Sequence, residues 1–514
     1  MRLSNTTLLK AAIFATGFSG LVAEYILSTL ATYLLNDSIF QWVMILSLML
    51  FSMGLGSRVS KVFNKNLLQK FLYLEFTLSL LVSFAPLFVY VISAWTQAFG
   101  LLIYILAIAI GLLIGMEIPL VIRINQEFES LKYNISHVLE YDYYGSLLGG
   151  VFFAYVGLPY LGLTHTPFVI GIVNFLVATA LISILWSTFS RPDLRALIVR
   201  GSVVFTLLIV GFFISEPVIL YGEQKKYTDK IIYTHQSKYQ RIVITKWKND
   251  YWLYLNGNQQ LCTRDEVMYH EPLVHPAMSL HSFPANVLIL GGGDGCAVRE
   301  VLKYEAAEKI TLVDLDPKMT ELGLNYPLLT ELNNNSLSNE KVTIVNEDAF
   351  KFVQETNDFY DVIIIDLPDP KSVEMGRLYS LEFYRSCSRV LRNEGVLVTQ
   401  AGSPYFATRA FLSINKTMQA ANFTTQPMHN QVITMGEWGW ILGQKQSPYP
   451  DLKKVLQSID FKNIETEWIN NEAMHLMTSF GKNTYIWQQD TVKINRIHDP
   501  VLYKYYIKGN WDLY

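Results

Sequence analysis

Residues 76–116 contain no Asp, Glu, Lys or Arg, and neither do residues 143–190. Uncharged stretches of 41 and 48 residues exceed what one core helix of a soluble domain needs. Each suits two bilayer spans of ~20 residues joined by a turn. The turns are expected at Ser93–Gly100 and near Pro159–Thr166. Apolar runs at Ala11–Leu35, Ile39–Gly56 and Ala196–Ile214 bring the count to about seven spans. The first run is too long for a cleaved signal peptide, and a second span follows at once. Glycines at Gly54, Gly56, Gly145 and Gly150 suit close helix packing in lipid.

Charge is distributed just as unevenly. Only 21 of the charged residues lie in 1–217, and 64 lie in the remaining 297. A membrane part followed by a globular part is therefore expected, rather than one soluble domain. The net charge of −3 offers no basic footprint for nucleic acid. Cys262, Cys296 and Cys387 form no disulfide framework or paired metal motif.

Basic residues cluster at Arg58, Lys61, Lys65 and Lys70, at Arg123 and Lys132, and at Arg191, Arg195 and Arg200. The positive-inside rule puts these loops and the N-terminus in the cytoplasm. Seven full spans would then deliver the globular part outside. Glu24, Glu75 and Glu117 fall within or beside spans. Intramembrane carboxylates are costly and point to function or to a helix-packing hydrogen bond; Glu75 is expected nearer the interface.

After a linker at Tyr221–Lys230, residues 231–261 alternate in short β-like runs, with Asn256-Gly257-Asn258 as a turn. A helix is expected over Asp265–Leu280. Five apolar strands follow, at 286–290, 309–316, 341–349, 360–370 and 395–400, alternating with helical segments. That alternation indicates a parallel doubly wound sheet. Gly291-Gly292-Gly293-Asp294-Gly295 joins the first strand to a helix, where glycines let a ligand approach the backbone. Asp314 ends the second strand, where an acid typically holds ribose hydroxyls. Asp348 ends the third strand, where an adenine is expected beside it. Asp366 and Asp369 follow the fourth. A dinucleotide fits poorly, because the loop lacks the third glycine of GxGxxG and its aspartate would repel a pyrophosphate. A cationic adenosyl sulfonium fits better.

VLILGGGDGCAVREVLKY, TLVDLDPKM, NEDAFKFV and YDVIIIDLPDP resemble the spermidine synthase (polyamine aminopropyltransferase) family. SKYQRIVI and TRDEVMYHEPLVHPAM resemble its amino-terminal β subdomain and gate, so the likeness spans about residues 231–445. AAIFATGFSGLVAEY and the tail KINRIHDPVLYKYY are similar to a membrane-fused branch of that family. The resemblance implies an α-helical transmembrane bundle (1–217), a linker and β-rich subdomain (218–283), a Rossmann-like α/β domain (284–450) and a C-terminal extension (451–514). It implies an aminopropyl transfer from decarboxylated S-adenosylmethionine to an amine, putrescine by default, without metal or resident cofactor.

On that resemblance, Asp366 is the catalytic carboxylate. Gln240, His270, Asp294, Asp314 and Asp348 bind the donor, and Tyr269, Asp366 and Asp369 bind the acceptor. Homo-oligomers, plasma-membrane location and a cytoplasmic catalytic part are also implied, the last because the donor is cytosolic. Three positions depart from the family pattern on the acceptor side. The loop reads DLPDPKSVEMG instead of DSSDPxGP. Met435 stands where a Tyr is usual, and Gly402 where an acid is frequent. Two other readings stay open: an S-adenosylmethionine-dependent methyltransferase, which the charge of Asp294 opposes, and a membrane polyamine transporter or sensor.

Overall fold

The computed structural model describes residues 5–35, 38–96, 98–126, 130–481 and 491–511. The chain divides into two compact units, Met1–Ile231 and Ile232–Tyr514.

The first unit is helical: α1 (Asn5–Leu35), α2 (Ser38–Val59), α3 (Leu67–Ser93), α4 (Phe99–Asn125), α5 (Leu131–Phe152), α6 (Gly162–Ile184) and α7 (Arg191–Gln224). The helix directions follow from which residues meet. Thr16 reaches Glu75 at 3.3 Å and Tyr33 meets Tyr90, so α1 and α3 run parallel. Phe14 abuts Gly145 and Phe18 abuts Gly149, so α5 runs with them. Phe76 and Tyr90 abut Gly201 and Gly222, which adds α7 to the same direction. Leu35 meets Gly100 and Gly20 meets Ile114, so α4 runs the other way. Gln41 with Tyr104, and Gly56 with Leu112, align α2 with α4. Phe76 with Phe175, and Ser83 with Pro167, show α6 antiparallel to α3.

Six helices among the described residues are long and apolar enough to cross a membrane, one of them running through Leu131–Ile184. Its 54 residues would measure ~80 Å if straight, against a ~30 Å hydrocarbon core. The expected turn near Pro159–Thr166 is found at Gly162, with φ +62° and ψ −169°, and it follows a π-helical stretch, Phe153–Leu161. Pro159 and Pro167 supply no backbone donor, so regular α-helix hydrogen bonding cannot continue through this stretch. Beyond Gly162, α6 runs opposite to α5.

Close packing uses the glycines unequally. A Cβ at Gly56 or Gly145 would collide with a neighbouring backbone, whereas Gly54 faces open space. Glu75 is 0% exposed and accepts from Thr16. Glu117 is 0% exposed as well, and Glu24 is buried. α7 continues past residue 217 to Gln224.

The second unit begins with a four-stranded sheet, β1 (Lys230–Gln236), β2 (Arg241–Trp247), β3 (Asp250–Leu255) and β4 (Asn258–Cys262), in sequential order. Helix α8 (Val267–Leu280) leads into β5 (Asn286–Gly291) and α9 (Cys296–Leu302). Then come β6 (Lys309–Asp314), β7 (Val342–Asn346), β8 (Tyr360–Asp366), β9 (Leu391–Gly402), β10 (Phe423–Val432) and β11 (Gly436–Lys445). They form one sheet ordered β10-β11-β9-β8-β5-β6-β7. The pairs from β9 through β7 are parallel, and β10-β11-β9 are antiparallel.

Strands β5 and β8 are apolar on both faces because helices cover the sheet on both sides; Val287–Leu290 and Val362–Ile365 are fully buried. The chain leaves β5 towards β6 and β7 on one side and returns through β8 to the other. That reversal opens a crevice at the carboxyl ends of β5 and β8, where ligands bind in such sheets.

Candidate active site

Gly291 and Asp366 are register partners at the ends of β5 and β8. Gly291 has φ +85°, and a Cβ there would lie inside van der Waals contact with the Asp366 carbonyl. Only glycine permits this approach. The loop then turns at Gly292 (φ +69°) and Gly295 (φ +87°), while Gly293 donates its N–H to Asp314 Oδ2 at 3.0 Å.

Asp314 also accepts the Asp316 N–H at 2.8 Å. Burial raises its carboxyl to about 6, against the opposing backbone N–H of Asp316. Gln240 donates to Asp316 Oδ2 at 3.0 Å, so one residue links it to Asp314. Asp348 caps the helix Ala349–Glu355 through the Lys351 N–H and pairs with Arg377. No hydrogen bond joins its side chain to the other acids among the described residues, and the preceding Glu347 donates its N–H to the Asp314 carbonyl at 3.2 Å.

The centre of the crevice gathers His270, Asp294 and Asp366, whose ligating atoms lie within 4.8 Å of one another. Tyr269 and His270 come from α8, Asp294 from the glycine loop and Asp366 from β8. Tyr269 donates to Asp366 Oδ1 at 2.7 Å. Asp294 Oδ1 accepts the Cys296 N–H at 2.8 Å, which orients its carboxylate. Burial raises the Asp366 carboxyl; His270 opposes this, Asp294 adds to it and the Tyr269 hydroxyl again opposes it. Burial alone would lower His270. The hydrogen bond and charge of Glu266, then Asp294 and Asp366, override that and lift it to about 9.

His270 Nδ1 lies 2.6 Å from Glu266 Oε2. Arg299 grips Glu266 with two N–H groups, at 2.7 and 3.0 Å. Burial pushes Glu266 up, but His270 and Arg299 hold it below its ordinary value. The centre therefore holds an imidazolium between two aspartates, with a buried ion pair behind it.

Asp369, expected on the acceptor side, accepts from Gln400 at 3.4 Å and from Tyr506 at 2.6 Å. Gln400 also donates to Tyr379 Oη at 2.6 Å and to the Leu367 carbonyl at 2.7 Å. Reasoning from sequence missed Glu266, Arg299, Tyr379, Gln400 and Tyr506. Of these, only Glu266 carried a local signal, four residues before His270 and so on the same helical face.

A family profile described as "Spermine/spermidine synthase domain" matches residues 266–454. The polyamine aminopropyltransferase of Leptospira interrogans is 39% identical over 504 residues, covering 97% of this chain and 98% of the relative. The chain belongs to the polyamine aminopropyltransferase family. It is a transferase. Polyamine aminopropyltransferase 2 of Aquifex aeolicus is 40% identical over 514 residues, covering 98% of this chain and 99% of the relative. A crystal structure of spermidine synthase in complex with the transition-state analogue AdoDATO is 29% identical, with a TM-score of 0.44. It covers 49% of this chain and 86% of that one. The aminopropyltransferase likeness thus extends through the helical unit as well as the catalytic one.

Proposed function

We propose that this chain is an integral membrane aminopropyltransferase that converts putrescine to spermidine. The observation that carries the reading is the cluster of Asp294, His270 and Asp366 at the β5/β8 crevice. The co-substrate is decarboxylated S-adenosylmethionine, whose sulfonium and terminal ammonium are both cationic. Asp314 takes the ribose hydroxyls, with Gln240 bracing it through Asp316, and Asp348 lies on the adenine side. Asp294 grips the terminal ammonium. Its charge repels the carboxylate of intact S-adenosylmethionine, which disfavours the methyltransferase reading.

Asp366 orients the attacking amine and takes its proton. The amine lone pair forms the new C–N bond as the C–S bond breaks, and the sulfur leaves as neutral methylthioadenosine. Positioning and proton removal are the protein's tasks. A carboxylate raised by burial is the better base for that proton. The imidazolium of His270 keeps two aspartates close together without mutual repulsion. Asp369 takes part in holding the acceptor. Assaying Asp366→Asn against putrescine, cadaverine and spermidine tests the reading. Undiminished turnover in the variant contradicts it, and a preference for another amine replaces putrescine.

Membrane insertion is supported by the alternating apolar helices and by their Leu46, Leu50, Phe51, Val203 and Phe213 side chains, all exposed. The catalytic part is placed on the cytoplasmic face of the plasma membrane, since a doubly charged donor does not cross a bilayer unaided. The helix directions put the basic loops and the α7 exit at opposite ends. This placement therefore opposes the positive-inside preference. Proteolysis of oriented vesicles decides it: cleavage in the catalytic part from the outer face overturns the cytoplasmic placement.

A further inference from the structure

We infer that the C-terminal tail completes the acceptor site, with Tyr506 acting as a positioning residue through Asp369. The inference rests on the transferase reading above. Tyr506 lies 137 residues after Asp369 and donates to its Oδ2 at 2.6 Å. The other contacts to that carboxylate are longer: Gln400 at 3.4 Å and Lys371 at 3.7 Å. The tyrosine hydroxyl therefore does most to set the carboxylate's direction.

The tail is built to hold it there. Tyr506 sits on the short helix Leu502–Ile507 and is 4% exposed. Its ring meets Trp511 at a tilt, with centroids 4.8 Å apart, and the Trp511 indole donates to the Tyr506 carbonyl at 2.7 Å. Asn495, 1% exposed, ties the tail to the segment that follows Asp369. Its amide donates to the carbonyls of Gly376 and Tyr379 at 2.8 and 3.1 Å. Its side-chain oxygen accepts the N–H groups of Val501 and Leu502, the latter opening the helix of Tyr506.

Gly402 packs against the ring. That residue has φ +67°, and a Cβ there would lie 3.2 Å from Tyr506 Cε2. The glycine found where the family resemblance leads one to expect an acid thus lies directly against the tail.

A diamine acceptor has one amine that must be neutral to attack and a second that stays an ammonium. Asp366 serves the first. Asp369, three residues on, serves the second, and Tyr506 aims it. Losing a hydrogen bond to a charged group of this kind weakens binding roughly tenfold.

The test is steady-state kinetics of the full-length protein in detergent, wild type against Tyr506→Phe, with putrescine and with n-butylamine, which lacks the second ammonium. n-Butylamine is measured as acceptor or as competitive inhibitor. The expected result is a putrescine KM raised about tenfold, with the saturating kcat, the donor KM and the n-butylamine constants unchanged. Equal losses for both amines, or an unchanged putrescine KM, overturn the inference while leaving the transferase reading intact. A wild type that transfers to no amine removes the transferase reading, and this inference falls with it.

Discussion

Replacing Glu266 by Gln should collapse the charge arrangement of the centre without touching a substrate-facing atom. Glu266 Oε2 lies 2.6 Å from His270 Nδ1, and both Glu266 oxygens bind Arg299. With both partners at 3% side-chain exposure, solvent screens this pair little. The carboxylate is the leading reason His270 titrates at about 9 instead of 6.5. A shift of that size is worth ~3 kcal/mol of folded-state stability. Because the folded value is raised, that stability is whole below pH 6.5 and is lost as pH rises through about 9.

The wild type should therefore keep its activity up to an alkaline limb near 9, and its melting temperature should fall across the same range. In Glu266→Gln the alkaline limb should move down by about one pH unit or more. The melting temperature should also lose its dependence on pH between 7.5 and 9.5 (~2 pH units). Methylthioadenosine release between pH 6 and 10 (~4 pH units) and scanning fluorimetry in the same buffers provide the two readouts. Superimposable pH–rate profiles for wild type and variant would refute the charged-histidine reasoning.

Other substitutions probe the neighbouring parts of the site. Asp366→Asn should lower kcat about 10²–10⁴-fold, the range for loss of a general base, with methylthioadenosine binding by calorimetry unchanged. Asp294→Asn should weaken the decarboxylated donor roughly tenfold or more. It should leave intact S-adenosylmethionine no worse bound, and competition binding would show the ratio narrow. Gly291→Ala forces a side chain into positive φ against the Asp366 carbonyl. It should abolish donor binding, and calorimetry on folded protein would detect this.

The central sheet was legible because its signals are local. Buried apolar strands, glycines at a βα turn and acids at strand ends all lie within a few residues of each other. Asp314 could be associated with the glycine loop from its place at the end of the second strand, though not with Gly293 in particular. The pair β10 and β11 was not read as strands. Pro427 interrupts the first, and the polar run Gln426 to Gln431 masks its alternation. Seven helices could be counted from charge gaps, but the π-helical stretch before Gly162 could not be foreseen from composition. Glu75 could be placed near the start of α3, only five residues after Lys70, but its partner could not be named. Its burial depends on Thr16 of a helix 59 residues away in sequence. Tyr506 was beyond reach for the same reason, since its meaning lies in Asp369.

The most direct measurement is methylthioadenosine release by the detergent-purified, full-length protein, offered decarboxylated or intact S-adenosylmethionine with and without putrescine. The account predicts amine-dependent release from the decarboxylated donor alone, with spermidine formed in equal amount. Methyl transfer from the intact donor, or no release with either donor despite nucleoside binding, would contradict it.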